Sequence, residues 1–123
     1  QLKSRPDLLS VDETYKVADS YGKGSAEHRE AMLVAAHTYP GNVAAVVNAA
    51  RVEMERGDAD AAIRLIEGSK AAAAPEALNA LGVAYAKAGK YEKAGEVLRQ
   101  AKAAGYAEAE KNLQEMAGVV ADF

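Results

Sequence analysis

Residues 75–104 read PEALNALGVAYAKAGKYEKAGEVLRQAKAA, and the offsets at which their small and large apolar residues fall decide the fold. Leu78, Leu81, Gly82 and Tyr85 stand three or four residues apart, so on a helix they form one stripe. Ala94, Leu98 and Ala101 form a second. Between the stripes, Ala88-Gly89-Lys90 puts glycine where it can take the left-handed conformation that ends a helix without a Cβ penalty. The stretch is therefore expected to fold as two antiparallel helices. A small residue on each, Gly82 and Ala94, lets the backbones approach while Leu81, Tyr85 and Leu98 fill the space around them.

These positions resemble the tetratricopeptide repeat (TPR) family, whose pattern runs large residue, Leu, Gly, Tyr, then Ala, large residue, Ala across about 34 residues. Tyr106 stands where the family usually has proline. The resemblance implies a right-handed α-α superhelix, in which one helix pair cannot bury both faces and needs stacked neighbours. The code recurs upstream. Moving back without gaps from Gly89 to Gly57 sets Val46, Ala49 and Ala50 on Leu78, Leu81 and Gly82, and Ala62 and Ile66 on Ala94 and Leu98. Glu53 takes the place of Tyr85 and Ser69 that of the last alanine, so this middle pair is expected to pack through Val43, Val47, Met54, Ile63 and Leu65 as well.

A third copy has Val17, Ala18 and Tyr21 at first-helix positions, a slightly longer turn at Gly22-Lys23-Gly24, and Ala31 with Ala35 opening the second-helix code. After Gly105, one side of the chain carries Ala109, Leu113, Met116, Ala117 and Val120, and Glu108, Lys111, Gln114 and Glu115 fall elsewhere, as in a solitary capping helix. The expected organisation is a linker over 1–9 and one helical domain over 10–123. It has three repeats, about 11–41, 42–74 and 75–105, and a cap over 106–120. The expected fold is all-α, with about seven helices and sheet content near zero.

Local signals give the helix limits. Ser10 and Glu13 suit a capping box. Ser25 suits an N-cap, with Glu27 near the positive helix end. Tyr39-Pro40-Gly41-Asn42 stops the second helix and leaves Asn42 to cap the third. Arg56-Gly57-Asp58 stops the third and leaves Asp58 to cap the fourth. Gly68-Ser69 loosens the fourth, and Pro75 suits the first turn of the fifth, where its missing N–H has no partner to lose.

Composition agrees with one small helical domain. Alanine, the best helix former, makes up about a quarter of the chain. It buries little area, whereas a fully buried leucine or isoleucine contributes roughly 1.5 to 3 kcal/mol. The core is expected to be thin and to depend on close helix contact and on the six tyrosines.

The net charge of −3, with acids and bases interleaved, argues against a nucleic-acid partner. Lys87, Lys90 and Lys93 make the densest basic cluster, but Glu92 and Glu96 sit among them, as on a solvated helix face. No apolar run approaches the roughly 20 residues needed to cross a bilayer. The first residue is not methionine and no signal peptide is evident, so a mature or excised domain is expected, the latter favoured by the aperiodic residues 1–9. Without cysteine, disulfides and thiolate metal sites are excluded.

Catalytic constellations do not emerge. His28 and His37 lie nine residues apart on one expected helix, half a turn out of phase, and cannot share a metal. Asp58 and Asp60 lack the other oxygen ligands, the glycine and the closing glutamate of a calcium loop. Gly82 and Gly89-Lys90 are too far apart for a phosphate-binding loop, and Gly22-Lys23-Gly24 lacks a third glycine and a preceding strand. No base is placed with any serine. The expectation is a protein that is not an enzyme and has no cofactor and no metal.

In TPR-like stacks the first helix of each pair lines a concave groove, into which residues one position off the core stripe point. Carried over, the resemblance implies a partner-binding groove of Val47, Arg51 and Met54 from the middle repeat, with Glu76, Asn79, Val83, Ala86 and Lys87 from the third. It suits an extended peptide or a partner's helix, with Arg51 or Lys87 meeting a carboxylate. The family's full two-carboxylate clamp is not present. The plainer reading makes these solvent-facing positions, with Asn48 and Asn79 bonded to neighbouring loops.

A second resemblance covers most of the chain. The succession Val17-Ala18, Tyr21, Ser25, Ala36, Tyr39-Pro40-Gly41-Asn42, Asn48-Ala49-Ala50, Gly57-Asp58, Ala62 and Pro75-Glu76-Ala77 is similar to the helical C-terminal region of large cell-envelope proteins of Gram-negative gut anaerobes. Those proteins carry outer-membrane or pilus-associated modules upstream. The similarity implies a periplasmic or envelope interaction module; without it, a cytoplasmic adaptor is the alternative. Two readings follow: a module that binds a protein or peptide of unknown identity, and a structural spacer or homodimer formed through Met116, Val119, Val120 and Phe123 of the last helix.

Overall fold

A computed structural model describes residues 11–22 and 24–119, with 11, 12 and 119 described by backbone alone. The chain forms seven helices: α1 Val11–Ser20, α2 Ala26–Thr38, α3 Val43–Glu55, α4 Ala59–Glu67, α5 Pro75–Lys87, α6 Tyr91–Ala103 and α7 Ala107–Val119. No strand occurs among the described residues. Each helix packs on the next, and α3 and α7 both also touch α5. This is the all-α architecture expected from the apolar spacing. Residues 1–9, Ser10 of the expected capping box, Lys23, Val120 and Phe123 lie outside the described residues.

The odd-numbered helices begin at Val11, Val43, Pro75 and Ala107, 32 residues apart each time. Helices α4 and α6 keep the same interval, from Ala59 to Tyr91, whereas α2 begins at Ala26, one residue out of step. Helix α1 ends at Ser20, three residues short of the period, and a loop two residues longer than its counterparts leaves α2 one residue early. By this period α7 is the first helix of a fourth unit.

Three helices open on a side-chain cap. Ser25 Oγ accepts from the His28 N–H, Asn42 Oδ1 from Ala45 and Asp58 Oδ1 from Ala61, each at 3.0 Å. Each satisfies a donor that the first helical turn leaves without a partner. Pro75 opens α5, where Ala74 offers no side-chain cap. Gly57 and Gly89 take φ of 86° and 81°, and the next residue's N–H returns to the helix: Asp58 to Glu53 O at 2.9 Å and Lys90 to Tyr85 O at 2.8 Å. This is the glycine-dependent C-terminal lock that lets α4 and α6 turn back on α3 and α5.

The core is mostly alanine, with Ile66, Leu98, Val46 and Thr14 its largest fully buried side chains. Ile66 and Leu98 are period-equivalent, and Leu98 packs where Gly82 leaves room. A Cβ added to Gly82 would lie 2.5 Å from Leu98 Cγ and 2.6 Å from Leu98 Cδ2. Val47 and Ile63 are buried as expected for the middle pair, with Val43, Met54 and Leu65 packed at its margin.

Three expectations need correction. The core does not rest on six tyrosines: Tyr85 is buried, Tyr15, Tyr91 and Tyr106 pack at the margin, and Tyr21 is 51 % exposed. Tyr21 falls outside the stripe because α1 stops at Ser20, and Thr14 with Ala18 carries the packing of that helix instead. On α7, Ala109 and Met116 are buried but Ala117 is exposed, since no further described helix covers that side. Met116 is 5 % exposed.

Candidate functional site

The first helices of the pairs form the walls of three hollows. The middle hollow, of about 400 Å³, lies between α3, α5 and α7. Seven of the eight residues inferred for a groove line it: Val47, Arg51, Met54, Glu76, Asn79, Val83 and Lys87. Ala86 lines the adjoining hollow between α5, α6 and α7, of about 240 Å³, which shares Val83, Lys87 and Asn112 with the first. A third, of about 450 Å³ between α1, α2 and α3, shares Arg51 and Glu55 with the middle one. The three are thus joined in series along α1, α3, α5 and α7.

Within this line the residues differ in what they offer. Val47 and Asn79 are 5 % and 7 % exposed and serve as floor. Asn79 Oδ1 accepts from Asn112 Nδ2 at 2.8 Å, so the amide joins α5 to α7 rather than to a loop. Asn48 likewise bonds to a helix: its Nδ2 donates to Tyr15 Oη at 3.3 Å, and its Oδ1 accepts from Arg51 Nη1 at 3.0 Å. Arg51 is thereby held upright between two hollows. Among the described residues neither Arg51 nor Lys87 has a carboxylate at ion-pairing distance.

Tyr106 reports the field in the middle hollow. Partial burial raises its phenol above the ordinary tyrosine range; the charges of Glu108 and Glu76 raise it further, and Arg51 opposes them. Two acids and one arginine therefore act on one point of the seam between α5 and α7. Sequence reasoning missed this wall, because it treated α7 as a cap. The available signal was the period: Glu108 stands 32 residues after Glu76 and occupies the same place on its helix.

In the hollow beside α1, positive charge is neutralised from beneath. Arg29 and Arg56 both bond to the buried Glu53 carboxylate, and His28 Nε2 lies 3.8 Å from Asp19 Oδ1. His28 is buried and His37 exposed, as their half-turn offset requires. Among the described residues no group of three or more histidines, acids or cysteines is placed to hold a metal ion. No helix among them is long and apolar enough to cross a membrane. The arrangement can offer shape, apolar contact and oriented charge to a ligand that lies along several helices. Neither the models of known protein families nor the curated proteins include a match to this chain.

Proposed function

We propose that the chain is a TPR-like, non-catalytic module that binds a protein or peptide segment along α3, α5 and α7, within a larger cell-envelope protein. The observation that carries the reading is the meeting of seven groove residues, from two helices 32 residues apart, around one hollow that continues into two others. A solvated helix face needs no such continuity, and side-chain-sized recesses spaced along a groove suit an extended segment. The envelope location rests on the similarity of residues 17–77 to the helical regions described above.

The test is capture of partners from envelope and cytoplasmic extracts on the immobilised domain, repeated with an Arg51→Glu, Val83→Glu variant. Both positions are at least partly exposed, so the fold is expected to survive. Partners held by the parent and lost by the variant support the groove. A partner held equally by both puts the binding surface elsewhere.

A further inference from the structure

The seam between α5 and α7 changes chemistry along its length. Glu76 and Glu108 stand at the second position of their helices, one period apart, and both act on Tyr106. Each has a use without a partner, since an acid in the first turn meets the positive end of the helix dipole. Neither has a cation at ion-pairing distance among the described residues. Further along the seam, Val83, Ala86, Tyr91, Leu98 and Met116 line an apolar recess with Lys87 and Glu115 at its rim. Across the two hollows Glu55, Glu76, Glu108 and Glu115 stand against Arg51 and Lys87, an excess of two negative charges.

We propose that this seam binds an extended peptide segment of a partner protein in which a lysine or arginine stands three residues from a large apolar side chain. The cation sits at Glu76 and Glu108, and the apolar group fills the recess beside Val83 and Met116. The spacing follows from geometry. Glu76 and Val83 are seven residues apart on one helix, about 10 Å at 1.5 Å per residue. Three residues of extended chain cover about the same length at roughly 3.3 Å each. The negative excess repels nucleic acid and anionic lipid, which leaves a basic peptide as the complementary occupant. The proposal rests on the groove reading above and specifies its ligand.

The experiment is panning of a random peptide display library on the full chain, followed by fluorescence anisotropy with the enriched peptides. The expected result is enrichment of a basic residue three places from Leu, Ile, Met or Phe. Changing the basic residue to glutamate should weaken binding by roughly tenfold or more, since like charges then meet in the seam. A Glu76→Lys, Glu108→Lys variant should reverse that preference; the peptide exchange tests the same point on the unaltered chain should the variant fold poorly. Peptides that lose binding on Val83→Lys but are indifferent to their own charge overturn this proposal and leave the groove standing. Peptides indifferent to Val83→Lys, or no enrichment at all, overturn both.

Discussion

The Glu53 carboxylate, 5 % exposed on its side chain, accepts from Arg29 Nε at 2.7 Å and Nη2 at 3.0 Å, tying α3 to α2 in a bidentate pair. Arg56 Nη1 adds a third bond at 3.2 Å. Glu53 occupies the position that Tyr85 holds one period later, so an apparent break in the apolar code is an ion triad. Burying the charge is costly and is offset only while its partners remain.

Arg29→Met leaves Glu53 buried with Arg56 alone. Because Arg29 is itself partly exposed and Arg56 stays, the expected loss is about 1 to 3 kcal/mol, measured by urea unfolding. The pH dependence has a definite sign. The Arg29 bonds, with smaller help from Arg56, hold the Glu53 carboxyl below its ordinary range. Its contribution is complete above the unfolded value of about 4.3 and falls away as pH drops through the lower folded value. Glu53→Gln should flatten the acid limb of the stability profile below about pH 4; an unchanged limb would mean that other carboxylates govern it.

How far the fold was legible follows from the same comparison. Gly82 against Leu98, the Asn42 and Asp58 caps and the Gly57 and Gly89 stops depend on residues within a turn or on one period, and the sequence displays both. Glu53 was visible only as an exception, because its explanation, Arg29, lies 24 residues away on another helix. The groove was half legible. Arg51, Val83 and Lys87 come from helices with a clear stripe, whereas Tyr106 precedes, and Glu108 and Asn112 belong to, a helix whose stripe is blurred by Glu110 and Gln114 at apolar positions.

Gly82 and Leu98 provide a packing test. Glycine inside a helix normally costs about 1 kcal/mol relative to alanine, so a Gly→Ala change there should stabilise. Here the new Cβ would meet two Leu98 carbons well inside contact distance, and Val97 Cγ2 at 3.2 Å. Gly82→Ala is expected to cost roughly 1 to 3 kcal/mol and Gly82→Leu at least as much. Combining Gly82→Ala with Leu98→Ala should cost less than the sum of the single changes, because the second removes what the first strikes. Strict additivity in thermal or urea unfolding would place the crossing elsewhere.

Tyr85 predicts an alkaline transition. Its hydroxyl donates to Glu67 Oε2 at the end of α4, and Lys93 Nζ stands 5.8 Å from its ring centroid. Burial, and then the bond to Glu67, pushes the phenol up to about 12. The folded state thus holds this proton more tightly than the unfolded chain, whose tyrosines titrate near 10. The associated stability is fully present below about pH 10 and lost as pH rises toward 12. In Tyr85→Phe the highest phenolate step of the ultraviolet titration should vanish, the alkaline decline should soften, and stability at neutral pH should fall by about 1 kcal/mol.

The face of α7 turned away from α5 differs in chemistry from its period-equivalent on α5. The stripe Leu78, Leu81, Gly82 and Tyr85 on α5 corresponds on α7 to Glu110, Leu113, Gln114 and Ala117. With Arg99 and Lys102 these four line a recess of about 340 Å³. Glu110 and Gln114 make that face polar, and Lys102 Nζ reaches Glu110 Oε1 at 3.5 Å between half-exposed side chains, a pair that contributes little to stability. Both groups keep this face polar among the described residues. Glu110→Leu with Gln114→Ala would restore an apolar stripe that no described helix covers. The expected outcome is concentration-dependent association in light scattering with unfolding free energy changed by less than about 1 kcal/mol. A variant that scatters like the parent at every concentration would show that Glu110 and Gln114 are not what keeps this face from self-association.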